Sequence, residues 1–554
     1  MIRRAFSLVV VVMVLAALVV MAWWLPNRDA AGVAGLAATQ LNSVSFAPFR
    51  SGQSPLANRF PSAAEVDADL ALLAPITRAI RTYATIEGDY DVPALAARHG
   101  IKIWLGLWLG GDRAQNAREI VKAIMLANAY PDTVERVIVG NEVLLRRDLP
   151  VDALIAAIDE VRGSVRQPVT YADVWEFWEQ FPQLAQHVDI VTIHLLPYWE
   201  DVPTGIDDAV AHVVATYRRV ATRFPGQKIA IGETGWPSAG RTRREAVPSR
   251  VNQVRLIAAF VAAAQSEGFD YNLIEAFDQS WKYKNEGTVG AAWGIFHADR
   301  TGKFPAGIRV VNDPDWATHA GFSVLCGLLL LMMGLWGPGL GGQSLTAGGQ
   351  ARIAILAMVL GGAVVFAHVG TWTRALDHYL LAAYAVNMPA QAWLALLLIR
   401  HAGMRWAGTR WAGAPAPPAR SFAQATETVR SLLRLRPYLP ADPAGRLDDL
   451  FFVFVWTAMV LQLLLIFDPR YRDFPLPVFA VPLVCVLARA AFGEHRRGGG
   501  GREEFCVGAT LAAAALASAV IEGSENMASV VWNTAALILA APALLRLLPV
   551  RAKT

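Results

Sequence analysis

The sequence predicts an α/β fold, a (β/α)8 TIM barrel, followed by an all-α, multi-span transmembrane domain. Two patterns carry this. Between about residues 43 and 281, short apolar, β-branched runs alternate with amphipathic helical stretches, as expected for parallel strands with helices crossing between them. After residue 316 the chain becomes a series of apolar runs long enough to cross a bilayer. Composition agrees. Of the 554 residues 54% are hydrophobic, and the mean hydropathy of +0.35 is too high for a water-soluble chain of this length. The expected domains are an N-terminal anchor over 1–28, a barrel over 29–315 and seven spans over 316–554.

At the N-terminus, Arg3 and Arg4 precede an uncharged run over residues 5–25 that ends near Trp23, Trp24 and Pro26. A secretory h-region is about 7–15 residues. This run is longer and closes on interfacial aromatics. We read it as an uncleaved signal anchor with its N-terminus in the cytoplasm; a cleaved signal peptide is the alternative. Either reading puts the barrel outside the cytoplasm.

The strands are expected at 43–46, 80–84, 101–109, 137–140, 169–172, 190–194, 228–232 and 272–277, with helical patterns such as 113–128, 151–161, 208–223 and 250–266 between them. Gly302-Lys303-Phe304-Pro305 is a poor helix start, so the segment to Asp315 is expected to be irregular. In such a barrel the C-terminal strand ends form one rim, and the rim carries the chemistry. Polar and aromatic residues gather there: Arg81 and Tyr83, Asn141 and Glu142, Tyr171 and Asp173, His194 with Tyr198 and Trp199, Glu233 and Trp236, and Glu275, Asp278, Trp281 and Lys282. Glu142 ends the fourth strand and Glu233 the seventh. Two such carboxylates on one rim are what a retaining glycosidase needs.

Other chemistry is excluded. The net charge of +4 does not point to nucleic acid, because the densest arginines flank apolar runs, where membrane topology requires them. Cys326, Cys485 and Cys506 all fall in the spans, so the barrel has no disulfide framework and no thiolate metal site. No His, Asp and Glu cluster has metal-ligand spacing. His194 reads as a hydrogen-bonded rim histidine, and no cofactor or metal is expected.

Val139-Gly140-Asn141-Glu142-Val143 and Gly232-Glu233-Thr234-Gly235-Trp236-Pro237-Ser238-Ala239-Gly240 resemble the two signature motifs of glycoside hydrolase family 17, the β-1,3-glucanase family. Leu196-Pro197-Tyr198 and the region from Phe277-Asp278 to Trp293-Gly294 resemble it too. The likeness covers about residues 40–305. Gln279-Ser280-Trp281 departs from plant-type members, which carry an acidic residue there, and is closer to bacterial and fungal branches. The resemblance implies that Glu142 is the general acid/base and Glu233 the nucleophile, with their carboxyls about 5–5.5 Å apart. The acid must hold its proton, so its pKa is expected to be raised by the neighbouring Glu233. Asn141 would bond the sugar 2-hydroxyl and Tyr198 would support Glu233. Glu275 would orient the nucleophile, bind a sugar hydroxyl, or pair with Lys282. Trp199, Trp236 and Trp281 follow strand ends and are expected as sugar platforms; Tyr83 and Lys282 join the substrate-binding set.

Seven further spans are expected near 318–338, 352–371, 379–399, 449–467, 474–492, 504–522 and 528–548. With the anchor they make eight. The arginine-rich loop 400–447, the loop 493–503 and the Arg551 and Lys553 end then lie inside, and the acidic loop around Glu522 and Glu525 lies outside, as the positive-inside rule asks. Mid-span polar residues are few (Asn387, Gln391, Gln462), which reads as packing rather than a transport path. The cytoplasmic loop is too short for a nucleotide-sugar transferase, so glucan synthesis belongs to another protein, a membrane glucan synthase being a candidate partner. The expected function is a multi-pass inner-membrane enzyme with a periplasmic barrel that cleaves β-1,3-glucan and transfers it to a sugar acceptor. By the resemblance, it would branch, elongate or cyclise periplasmic β-glucan. A β-1,3-glucan hydrolase is the near alternative. A non-catalytic glucan-binding or export subunit, or a transporter, belongs to other classes.

Overall fold

A computed structural model describes residues 2–28, 31, 40–304, 309–336, 345–407, 421–433, 443–494 and 501–545. It divides into two compact units: one of residues 30–312, the other of residues 1–29 together with 313–554.

The first unit is a closed barrel of eight parallel strands in sequential order. They are β1 (Leu41–Ser45), β2 (Thr77–Arg81), β3 (Lys102–Leu107), β4 (Val134–Asn141), β5 (Val169–Val174), β6 (Ile190–His194), β7 (Lys228–Thr234) and β8 (Asp270–Leu273). The period of two sorts side chains to the two faces. Val44, Ile80, Ile103, Leu105, Val137, Val139, Val191, Ile193 and Ile231 are buried in one continuous core with the surrounding helices. The alternate residues face the barrel axis and are small or polar: Ser43, Ser45, Ala79, Thr170, Ala172, Thr192 and Asn272 are all buried. Trp104 of β3 fills the space they leave, packed with Ala79, Ile138 and Ala172, and Arg136 of β4 lies over its ring at 4.0 Å. Arg136 in turn pairs with Asp270 of β8 at 2.7 Å.

The crossing helices are Ala63–Leu73, Val92–Arg98, Arg113–Ala129, Val151–Arg162, Trp175–Gln180, Ala209–Arg223 and Arg250–Glu267. Ser62 and Glu65 close a capping box on the first, and Asp112 caps the third through the Ala114 and Gln115 amides. After β8 there is only a short 3-10 turn, Ser280–Lys282, and a kinked helix, Tyr283–Gly290. No helix follows over the described residues 291–312, as the glycine and proline there predict. The eighth strand is shorter than the sequence pattern suggests. It ends at Leu273, and the apolar residues Ala276 and Phe277 that prolong the pattern lie beyond it, Phe277 bridging to Phe296.

The second unit holds seven helices long and apolar enough to cross a membrane among the described residues: Ser7–Asn27, Trp316–Leu335, Ala347–Trp372, His378–Trp406, Arg446–Phe467, Arg502–Glu522 and Met527–Leu545. The eighth expected span, 474–492, is a shorter apolar helix, Leu476–Ala491, opened by Pro475 and Pro477. Its ends still reach opposite sides of the unit. Asp473 pairs with Arg374 beside the end of the third helix. At the other end Arg489 pairs with Asp448, and Glu494 with His401 and Arg405. Gln391 and Gln462 are buried and bonded: Gln391 to the Pro477 carbonyl and the Val481 amide, Gln462 to the Ala514 carbonyl, Asn533 and Trp532. Trp23 of the N-terminal helix donates to Ser323 at 2.9 Å. Much of the expected basic loop, including Arg410, Arg420, Arg434 and Arg436, lies outside the described residues, as do Arg496, Arg497, Arg551 and Lys553.

Candidate active site

The ends of β2, β4, β6 and β7 bring four polar groups to one point on the rim. Glycine makes this possible at two places. Gly140 has φ +86, a conformation L side chains rarely adopt, and it turns the chain so that Asn141 and Glu142 follow at the rim. Gly232 lies against His194: a Cβ there would sit 2.6 Å from Thr192 Cγ2 and 3.1 Å from His194 Cδ2. Glu142 itself has φ +51, a left-handed backbone costly for a residue with a side chain.

Glu142, His194 and Glu233 converge. One ligand atom from each lies within 4.8 Å of the others. His194 Nδ1 is 2.8 Å from Glu142 Oε1, and its Nε2 is 3.3 Å from Arg81 Nη1 and 3.8 Å from Glu233 Oε1. Arg81, buried at the end of β2, donates Nη1 to Glu233 Oε1 at 3.0 Å and to the Gly232 carbonyl at 2.7 Å. Its Nη2 donates to Asn141 Oδ1. A guanidinium can only donate, so His194 Nε2 accepts and the imidazole proton sits on Nδ1, directed at Glu142. The trio has the donor set of a metal site, but Arg81 already supplies positive charge to two of its members, which opposes a second cation there.

These contacts decide the charge states. Burial pushes the Glu142 carboxyl up, but the hydrogen bond from His194, with the charges of Arg146 and Arg81 behind it, outweighs burial and holds it below the usual carboxylate range. The expectation of a raised pKa at Glu142 is therefore overturned: the nearest groups are a donor and cations, and they dominate the field of Glu233. Asp173, at the end of β5, goes the other way. Burial and the Glu142 charge lift it to about 6 against its bond from Tyr171.

The rest of the expected set divides. Asn141 lies at the rim, 9% exposed, its carbonyl taken by Arg81. Tyr83 is central: its hydroxyl donates to Glu233 Oε1 at 2.8 Å and shares 2.8 Å with Ser45 Oγ. Tyr198 does not fill the support role assigned to it. Its ring is buried among Trp199, Trp236 and Trp293, and its hydroxyl donates to the Arg241 carbonyl at 2.5 Å. The hydroxyl on Glu233 comes from Tyr83, just after β2, not from the loop after β6. Trp236 is also corrected. It is fully buried, its Nε1 bound to the Val247 carbonyl, so it offers no face to a sugar. Trp199 is half-buried and stacks on Trp293 at 6.3 Å. Trp281 is half-buried and donates to Gln279 at 2.9 Å. Glu275 is buried and takes Lys282 Nζ on both oxygens at 3.0 Å, the ion pair among its readings. Burial lifts its pKa to about 7 despite Lys282.

The sequence sets Arg81 and His194 at strand ends without marking them as site residues; the signal that could find them is a cation and an imidazole at the rim positions flanking both glutamates. Trp108 was also passed over. It is 37% exposed at the end of β3, held by Arg146 stacked 4.1 Å over its ring. Arg146 further bonds the Leu109 and Asn141 carbonyls and Asp148, tying the platform to the turn that carries Glu142.

Comparison with known proteins fits this rim. The BtgE/BtgC glycoside hydrolase domain family matches residues 43–294. A glucan 1,3-beta-glucosidase of Schizosaccharomyces pombe is 30% identical over 253 residues, 43% of this chain and 78% of that one. One of Candida albicans is 26% identical over 261 residues, 43% and 84%. A crystal structure of a family 17 β-1,3-glucanosyltransferase from Rhizomucor miehei aligns with 25% identity over 48% of this chain and 98% of that one, at a TM-score of 0.42. On its sequence relatives and its two motifs, the chain belongs to glycoside hydrolase family 17.

Proposed function

We propose that this protein is a membrane-anchored, retaining β-1,3-glucan transglycosylase, with Glu233 as nucleophile and Glu142 as acid/base. The observation that carries the reading is the approach of the two carboxylates within 4.8 Å at the barrel rim. Retaining enzymes hold this pair about 5–5.5 Å apart, whereas inverting ones leave about 6.5–9.5 Å for a water. The names of the relatives, glucan 1,3-beta-glucosidase and β-1,3-glucanosyltransferase, support the substrate class.

The contacts suit the roles. Arg81 and Tyr83 both hold Oε1 of Glu233, which leaves Oε2 to attack the anomeric carbon. The bond from that carbon to the leaving oxygen breaks, and the oxygen takes its proton from Glu142. In the second step Glu142 accepts the proton of an incoming hydroxyl, which attacks the same carbon and frees Glu233. The His194 bond favours the ionised Glu142 that this second step uses. Asn141, whose carbonyl Arg81 holds, is the residue we assign to the sugar 2-hydroxyl.

Transfer rather than hydrolysis is supported by context. A barrel fixed to a bundle of apolar helices suits remodelling of glucan at a membrane, supplied there by a separate synthase. We place the barrel on the periplasmic face of the inner membrane, from the charge pattern of the loops. Incubation of the full-length protein in detergent with laminari-oligosaccharides is the test. Longer or branched products support transfer; shorter sugars alone make the protein a hydrolase. If Glu142→Gln and Glu233→Gln both leave product formation unchanged, the barrel is a binding module.

A further inference from the structure

The turn that carries Glu142 has a second face. Residues 142–148 close on themselves: the Arg146 amide donates to the Glu142 carbonyl at 2.9 Å, Arg147 to Leu144 at 3.1 Å and Asp148 to Val143 at 3.0 Å. The two successive arginines differ. Arg146 is committed inward to two carbonyls, a carboxylate and the Trp108 ring. Arg147 is exposed, its side chain makes no hydrogen bond or ion pair among the described residues, and it is held at φ +60. That region strains a residue with a side chain, and such residues gather at functional sites.

Arg147 borders a cavity of about 570 Å³, whose other walls include Leu144, Asp148, Phe177, Gln180 and Phe181. This lies within the usual range of ligand sites, roughly 300–1,000 Å³. Phe177 and Phe181 are one helical turn apart and stack nearly parallel, 6.5 Å between centroids at 14°. Gln180 is exposed and its side chain makes no hydrogen bond among the described residues. Asp148 is already paired with Arg146 at 2.7 Å, so Arg147 is the donor this cavity leaves open to the oxygens of a ligand. Flat apolar surface beside free hydrogen-bonding groups matches a neutral chain of sugar rings, whose C–H faces stack and whose hydroxyls bond.

We propose that this cavity is a second β-glucan-binding site, which holds a glucan chain against Phe177 and Phe181 with Arg147 as its polar anchor. The inference rests on the β-glucan substrate proposed above. Because one wall is the turn bearing Glu142, a chain held there stays beside the catalytic rim, and its reaction gains the effective concentration of a tethered partner.

Initial rates of the full-length protein in detergent test this, on laminarin and on a short aryl β-glucoside that cannot reach both sites. Phe177→Ala and Arg147→Gly should each raise KM for laminarin by roughly threefold to tenfold and leave the short substrate unaffected. Arg147→Gly also relaxes the left-handed backbone, so its Tm should hold or rise, and a KM change in it does not report unfolding. Calorimetric titration of laminarin onto the Glu233→Gln protein should show two classes of site, one of them lost with Phe177→Ala. Laminarin turnover with an unchanged KM in both variants, or a single class of site that Phe177→Ala leaves intact, overturns the second site alone. Absence of both turnover and binding of laminarin by the wild-type protein overturns the β-glucan assignment and this inference with it.

Discussion

His194 Nδ1 lies 2.8 Å from Glu142 Oε1, and Arg81 on the other side of the ring fixes which nitrogen carries the proton. With Glu142 as the proposed acid/base, this pair is expected to set the pH range of the reaction. The first step needs Glu142 protonated, so kcat/KM falls as pH rises past its pKa, which His194 holds low. Replacing His194 with Ala removes the donor, raises that pKa and moves the basic limb to higher pH. His194→Asn keeps a donor near the Nδ1 position and should move it less. Identical limbs in wild type and His194→Ala would refute the coupling.

Tyr83 and Arg81 share Glu233 Oε1. When the covalent intermediate breaks down, Glu233 leaves as a carboxylate, and Tyr83 stabilises it. Loss of a hydrogen bond to a charged group is worth about 1.5–3 kcal/mol, roughly ten- to a hundredfold in rate. Tyr83→Phe should therefore slow turnover of an activated aryl glucoside by that factor and leave a burst of released phenol. Tyr198→Phe loses the bond to the Arg241 carbonyl, which does not involve Glu233, and should show no burst.

Glu142→Ala and Glu233→Ala differ in rescue. Azide can replace the acid/base as the second-step attacker, giving a β-glucosyl azide in Glu142→Ala with an activated substrate. In Glu233→Ala it takes the place of the nucleophile and gives the α-anomer. Proton NMR of the products distinguishes the two, and the reverse pattern would exchange the roles.

Glu275 and Lys282 make a buried pair. Burial lifts the folded-state pKa of Glu275 to about 7 from 4.5. A raised acid favours folding while protonated, so its contribution is complete below about pH 4.5 and is lost as pH rises towards 7. Melting curves across that window should show a smaller fall for Glu275→Gln than for wild type. Lys282→Met removes the cation that holds this pKa down, so Glu275 should stay protonated to higher pH and the fall in Tm should extend above pH 7.

For the second unit, Ser524→Cys should react with a membrane-impermeant maleimide added outside intact cells, since the eight proposed passes put the acidic loop there. Protection until the cells are permeabilised would invert the proposed topology.

The barrel was legible because its outward residues obey the period of two and its helices the period of 3.6, and both are written locally. Strand ends were less so: β8 stops at Leu273 although the apolar run goes on, because a run does not say where ladder pairing gives way to packing. The two glutamates could be found because each follows a buried strand with glycine beside it. Tyr198 and Trp236 could not be placed. An aromatic residue after a strand end has the same local pattern whether it lines the groove or turns into the core, and here Tyr198, Trp236 and Trp293 pack on one another.

By itself the sequence determined the order of strands and helices, the spanning lengths of the apolar runs and the two carboxylates that end β4 and β7, since each depends on neighbours along the chain. Only the tertiary structure decided that Tyr83 holds Glu233, that His194 and Arg81 link the two carboxylates, and that Glu142 sits low rather than high in pKa. Those facts depend on distances between strands far apart in sequence, where a donor a few ångströms away outweighs a charge that proximity on the rim alone would suggest.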